Sequence, residues 1–193
     1  MNDSWIVLEG YEEQPNKTYL IDQITSYSES LNELENSKDL FQFHVKDVRY
    51  LKSGPLRQCR TIHLSTGDKK LSPDENKLLE MNKKLPKTCE FLSTLKLKVD
   101  PLNMRKIGRS YVTILKPGGR IFPHSDTYQE YWNEVDRFQF YYTGHIDVDQ
   151  IIGKQKFEIQ AGFFYFFDHK QIHEYHNRSE IDVYLLVFDL FKL

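Results

Sequence analysis

His124, Ser125 and Asp126 put an imidazole and a carboxylate two residues apart in an extended segment. Side chains two apart on a strand point the same way, so both groups converge on one point. His173 comes 47 residues after Asp126, past further strand candidates, and a return of that length brings a third ligand to the same mouth. Two His and one carboxylate on one face of a metal leave its other positions open, as O2 chemistry at iron(II) requires. A His-x-Asp pair taken alone is more simply a surface turn, with Asp126 capping the acidic segment after it. The surrounding residues favour the metal.

The segments KPGGRIFPHSD, Arg137 and GFFYFFDHKQIHEYHN carry a resemblance. Together they resemble the aspartyl/asparaginyl β-hydroxylase family of iron(II)/2-oxoglutarate-dependent dioxygenases. Its Pro-Gly turn, proximal Pro-His, downstream Arg, Phe-Asp and distal His fall on Pro117-Gly118, Pro123-His124, Arg137, Phe167-Asp168 and His173, and Asn177 also matches. The resemblance covers about residues 105–191 and implies a double-stranded β-helix. It implies Fe(II) on His124, Asp126 and His173, and 2-oxoglutarate as co-substrate. Three departures stand out. Asp126 supplies a carboxylate that the animal peptidyl members lack, so the chain is closer here to the free-amino-acid and proline hydroxylases. Val183 stands where the family has an Arg for the co-substrate carboxylate, and Gln139 where it commonly has a His.

If 2-oxoglutarate binds, its distal carboxylate needs a cation and hydroxyl donors. Arg137 suits a two-point grip; its ordinary alternative is a strand-edge Arg paired with Asp136 or Glu134. Thr113 and Tyr111 share a strand face and offer hydroxyls; otherwise they are plain strand residues. His169 and His176 flank the distal ligand. Either could replace His173 as the distal ligand, but Phe167-Asp168 anchors the register; His176 is expected at the rim, and Asp168 is expected to fix the loop or to support an imidazole. Tyr128, Tyr131 and Trp132 follow the ligand pair, so residues 127–135 form either a mobile substrate lid or a segment packed back on the sheet.

The elements that must position these residues change character near residue 100. Leu20, Ile24, Tyr27, Leu31 and Leu34 form one apolar stripe, which predicts a helix over about 17–36. Ser72-Pro73-Asp74-Glu75 is a helix start, and Pro86 should kink or split the helix that follows. Residues 41–51 and 60–64 look like strands, with His44 and His63 as packed or surface residues. Beyond Arg105, the runs 110–115, 120–126, 137–144, 156–160, 162–168 and 182–191 are strand candidates separated by turn residues. GFFYFFD is apolar on both parities, so it should be covered on both sides.

The expected fold is mainly β with helices packed outside a jelly-roll, cupin-like core. We expect a single domain over 1–193, with 1–104 as a helical and strand support region and 105–193 as the double-stranded β-helix. Thirteen Phe, twelve Tyr and two Trp suit such sheets. A formal charge of −2 with scattered Lys and Arg gives no nucleic-acid signal. Cys59 and Cys89 form no zinc pattern or disulfide framework and are expected as free thiols. No apolar run reaches membrane length, so a cytoplasmic protein is expected. The expected function is hydroxylation of an amino acid, peptidyl side chain or other small molecule. The alternative is a non-catalytic or differently catalytic cupin-like metal- or ligand-binding protein. A nucleic-acid-modifying oxygenase is the weakest reading.

Overall fold

The computed structural model describes residues 15–43, 55–65, 75–126 and 130–193. Two antiparallel sheets face each other. The major sheet has seven strands in the order β1 (Tyr19–Gln23), β9 (Phe163–Phe167), β6 (Val135–Tyr141), β11 (Val183–Phe191), β4 (Ile107–Leu115), β3 (Arg60–Ser65) and β2 (Gln42–Phe43). The minor sheet has four, in the order β5 (Arg120–His124), β10 (His173–Asn177), β7 (Val148–Ile152) and β8 (Gln155–Phe157).

Alternation along the central strand β11 builds both cores. Val183, Leu185 and Val187 face the space between the sheets with Ile121, Tyr141, Val148 and Tyr175. Tyr184, Leu186, Phe188 and Leu190 face the other way, into a second core shared with the helices. Those helices are α1 (Ser28–Asn36), α2 (Glu75–Lys84) and α3 (Pro86–Val99), which bring Leu34, Met81, Leu85, Leu92 and Leu95 onto that outer face. The jelly-roll with helices outside is therefore as expected. β9 is buried on both parities, at Phe164 and at Tyr165 and Phe167.

Pro86 splits the helix as predicted. It lacks an N–H and suits a first helical position, so it opens α3 where α2 ends. No side chain at the N-cap of α3 closes this new end. Glu33 from α1 does so, accepting the Lys87 and Thr88 backbone N–H groups at 3.0 and 2.7 Å and the Thr88 hydroxyl at 2.7 Å.

The helix expected over 17–36 is only half present. Its first part is β1, which pairs with β9 and stacks Tyr19 on Phe166 at 5.3 Å. Helical spacing would have put Leu20 on the buried stripe, yet it is 46% exposed. The hydrogen bonds waiting along β9 outweigh a weak local preference. β7 and β10 fall outside the runs expected as strands, and their sequences, VDQII and HEYHN, carry polar residues. KFEIQ is strand only to Phe157. The Ser72-Pro73-Asp74 cap, His44 and most of the 41–51 run lie outside the described residues.

The strands of region 1–104 do more than support: β1, β2 and β3 extend the major sheet at both edges. Pairing across this sheet sets the inner face into rows. Phe167, Arg137 and Asp189 form the row at the mouth. Tyr165, Gln139, Val187, Tyr111 and His63 form the next. Tyr141, Leu185, Thr113 and Thr61 follow, and Val183 with Leu115 lies deepest.

Candidate metal centre

His124 ends β5 and pairs directly with His173, which begins β10. Between this pair and the next, Ile121 with Tyr175, β5 carries one extra residue. Pro123 lies in that bulge. It has no N–H to give the ladder, and a bulge re-aims the side chain beside it. The two imidazoles come within 4.2 Å, centroid to centroid. Asp126 lies just beyond the strand, and its backbone N–H donates to the His169 carbonyl at 3.0 Å. The Asp is thus placed by a loop contact, where the sequence pointed to a shared strand face. Candidate ligand atoms of His124, Asp126 and His173 lie within 4.8 Å of one another.

Each imidazole is also oriented. His124 Nδ1 lies 2.7 Å from the Phe122 carbonyl and His173 Nδ1 2.9 Å from the Gln171 carbonyl. A carbonyl only accepts, so both Nδ1 atoms carry the proton and both Nε2 lone pairs are free to ligate. Burial first, and then the neighbouring His124, push the His173 imidazole down to about 3, so it stays unprotonated. Burial would raise the Asp126 carboxyl, but Arg137 and the imidazoles of His173 and His124 hold it below its usual range. Two imidazoles beside a carboxylate form a donor set that suits a divalent transition metal.

Arg137, expected as a co-substrate grip, lies buried between two protein carboxylates. Its Nε and Nη2 donate to Asp189 at 2.8 and 3.1 Å, and its Nη1 donates to Asp126 Oδ2. Neither Asp136 nor Glu134 is its partner; Asp136 pairs with Arg105 at 2.7 Å. Burial works against the Arg137 charge, and Asp189 first, then Tyr111 and Asp126, more than restore it. Asp189 is fully buried and also accepts the Tyr131 hydroxyl at 3.0 Å. Sequence reasoning missed this residue. The signal was there: LLVFDLF puts one carboxylate on the inward parity of an apolar strand, where a charge needs a counter-charge.

The lid expectation is overturned for the described part of 127–135. Residues Glu130–Asn133 form a 3-10 turn, and Tyr131 and Val135 are buried. Trp132 is 9% exposed and lies 4.6 Å from both the Arg109 and the Arg137 guanidinium. Its carbonyl accepts His169 Nε2 at 3.0 Å. Cation–π contacts and hydrogen bonds hold the aromatics against the sheet. Tyr128 lies outside the described residues.

A cavity of about 380 Å³ opens at the three ligands. Tyr111, Thr113 and Arg137 line it, together with Gln139, Tyr175, Leu185 and His63. The Thr113 hydroxyl pairs with that of Thr61 at 3.0 Å. His176 points off β10 on the parity opposite His173 and meets Arg178 at 3.2 Å. Asp168 accepts the Lys17 N–H at 3.1 Å and so ties an N-terminal segment to the loop. Asn177 exchanges backbone bonds with Gly118 and Gly119, and its amide donates to the Leu115 and Ile181 carbonyls. It braces the Pro-Gly turn, where Gly118 takes a φ of 72°.

Comparison with known proteins bears on the family and the fold. A family model described as "Aspartyl/Asparaginyl beta-hydroxylase" matches residues 61–192. The viral collagen prolyl hydroxylase from Paramecium Bursaria Chlorella virus-1, solved as a 2OG complex, is similar in fold with a TM-score of 0.51 at 13% identity. That match covers 91% of this chain and 96% of the viral one. A cupin 2 conserved barrel protein from Salinispora arenicola matches with a TM-score of 0.34 at 11% identity, over 42% of this chain and 60% of its own. No curated protein matches.

Proposed function

This chain belongs to the aspartyl/asparaginyl β-hydroxylase family, and from that premise we propose that it is an iron(II)-dependent hydroxylase using a 2-oxo acid co-substrate. His124, Asp126 and His173 would hold the metal. The observation that carries the reading is the convergence of these three donors, with both Nδ1 atoms already committed to carbonyls. Iron(II), when bound, supplies O2 activation coupled to oxidative decarboxylation of the 2-oxo acid and hydroxylation of a substrate C–H bond.

The protein's own residues do the positioning. Arg137 takes Oδ2 of Asp126, which leaves Oδ1 as its ligand atom. Phe167 packs edge-on against His173 at 4.9 Å and Trp132 walls the mouth, so water is excluded from one side of the ligands. The substrate class is an amino acid, a peptidyl side chain or another small molecule. The head of a 2-oxo acid fits a centre with three protein donors. The distal carboxylate of 2-oxoglutarate fits less well, since the cavity below Arg137 is lined by Gln139, Tyr111, Thr113, Leu185 and Tyr175.

The test is an anaerobic titration of the full chain with iron(II) or cobalt(II). One ion per chain is expected. His124→Ala, Asp126→Ala and His173→Ala should each abolish tight binding with the fold intact, while His176→Ala should not. Metal binding that survives loss of His173 refutes the ligand set. Metal binding without turnover of any 2-oxo acid would support the cupin-like binding protein instead.

A further inference from the structure

The rows of the inner face sort charge by depth. Arg137 and Asp189 lie in the mouth row. Arg109 also stays at the mouth, 4.6 Å from the rings of Tyr131 and Trp132. Below that level the cavity is lined by Gln139, Tyr111, Val187, Thr113, Leu185 and Tyr175, with Ile121 facing them from β5. The titratable base at this depth is His63, and burial, then the charge of Arg109, keep its imidazole neutral. Among the described residues, no permanently charged group lines the cavity beneath the mouth row.

This depth is organised around neutral hydrogen bonds. Tyr175 donates its phenolic proton to Gln139 Oε1 at 2.7 Å, and the Gln150 amide donates to Tyr175 at 2.7 Å and to Gln139 Oε1 at 3.1 Å. Tyr141 donates to Gln150 Oε1 at 2.7 Å. Both phenolic protons are thereby directed at amide oxygens and are not offered to a ligand. With its oxygen so occupied, Gln139 can offer a ligand only its amide N–H, a donor suited to an uncharged acceptor. A carboxylate placed here would lose its water and meet no counter-charge, which is strongly unfavourable. A carbonyl or hydroxyl oxygen is satisfied by one amide donor.

We infer that the co-substrate pocket of this chain selects a 2-oxo acid with an uncharged tail, and that Gln139 is the residue that reads this tail. The inference rests on the metal-centre reading above and deepens it. The 2-oxo acid head meets the metal at the mouth. Its tail runs down the cavity to Gln139 and Thr113, leaving the mouth, with Arg109 and Trp132, to the substrate.

The test uses the full chain loaded anaerobically with iron(II). The visible charge-transfer band of an iron-chelated 2-oxo acid reports binding without turnover. Two acids of equal length are compared: 2-oxoglutarate, and 2-oxoglutaramate, in which an amide replaces the distal carboxylate. The amide should bind about 10–100-fold more tightly, the cost of one buried group left unmatched. Gln139→Leu should weaken the amide and leave iron affinity unchanged. Leu185→Arg, at a position that lines the cavity beneath the mouth row, should shift preference towards 2-oxoglutarate. Should Leu185→Arg fail to fold, the wild-type comparison and Gln139→Leu decide alone. Equal or tighter binding of 2-oxoglutarate by the wild type overturns the inference and leaves the hydroxylase reading standing. If Arg109→Ala then weakens 2-oxoglutarate, the tail lies at the mouth. Iron binding with no band from either acid overturns both.

Discussion

Asp189→Asn is the sharpest perturbation available, because it changes one charge and almost no shape. Asp189 is fully buried and accepts two N–H bonds from Arg137 and one hydroxyl from Tyr131. Arg137 is itself 3% exposed, and its other carboxylate partner is Asp126. Breaking one side of a buried pair strands the opposite charge, at a cost of about 3–5 kcal/mol. For a chain of this size each kcal/mol moves Tm by about 2–4 °C, so a fall of roughly 6–20 °C is expected. The guanidinium would then lean on Asp126 alone and draw it from the metal. Loss of such an orienting partner weakens metal binding by about 10–100-fold. Calorimetric unfolding and anaerobic iron(II) titration read the two effects separately. Tyr131→Phe removes one hydrogen bond to the same carboxylate and the acceptor of the Arg109 backbone N–H, should cost about 2–4 kcal/mol, and should spare iron affinity. A stability loss under about 1 kcal/mol for Asp189→Asn, judged against those buried-pair costs, with unchanged iron binding, refutes the counter-charge role.

Other expectations follow from burial and charge. Trp132→Ala should destabilise the fold by about 3–5 kcal/mol, and the amides of 130–135 should exchange as slowly as the neighbouring sheet; rapid exchange there would restore a mobile lid. Burial pushes the Cys59 thiol up to about 12, and burial followed by Glu33 pushes Cys89 up to about 11. Alkylating reagent at pH 8 should therefore leave both unmodified in the native protein and label both after unfolding. The metal-free protein should lose stability in acid. His173 is neutral when folded, being held down to about 3, but protonates below its ordinary 6.5 when unfolded. The unfolded state then binds the extra proton, so stability is full above about pH 6.5 and declines towards pH 3. A flat urea midpoint between pH 7 and 4 would show that this imidazole is not buried.

Local rules and spacing were enough for some of this. The strand β11 and the split at Pro86 depend on neighbours in the chain, so residue pattern and backbone chemistry read them directly, whereas Asp126 is set beside His124 by a loop contact to His169. The strand signals of 105–193 point to a sandwich or jelly roll. What the sequence could not decide depends on partners far along it. Residues 19–23 become a strand because β9 offers an open edge, despite their helical spacing. The α3 cap comes from Glu33, more than fifty residues away. β7 and β10 are strands because other strands pair with them, and their buried polar residues, such as Gln150 and Tyr175, are satisfied only by the network around Gln139. Arg137 shows the difference most clearly. Its type and position announced a cation in the site, but its two donor edges face Asp189 and Asp126. Which of several carboxylates a guanidinium meets is set by strand register and low-dielectric burial, and those exist only once the sheet has closed.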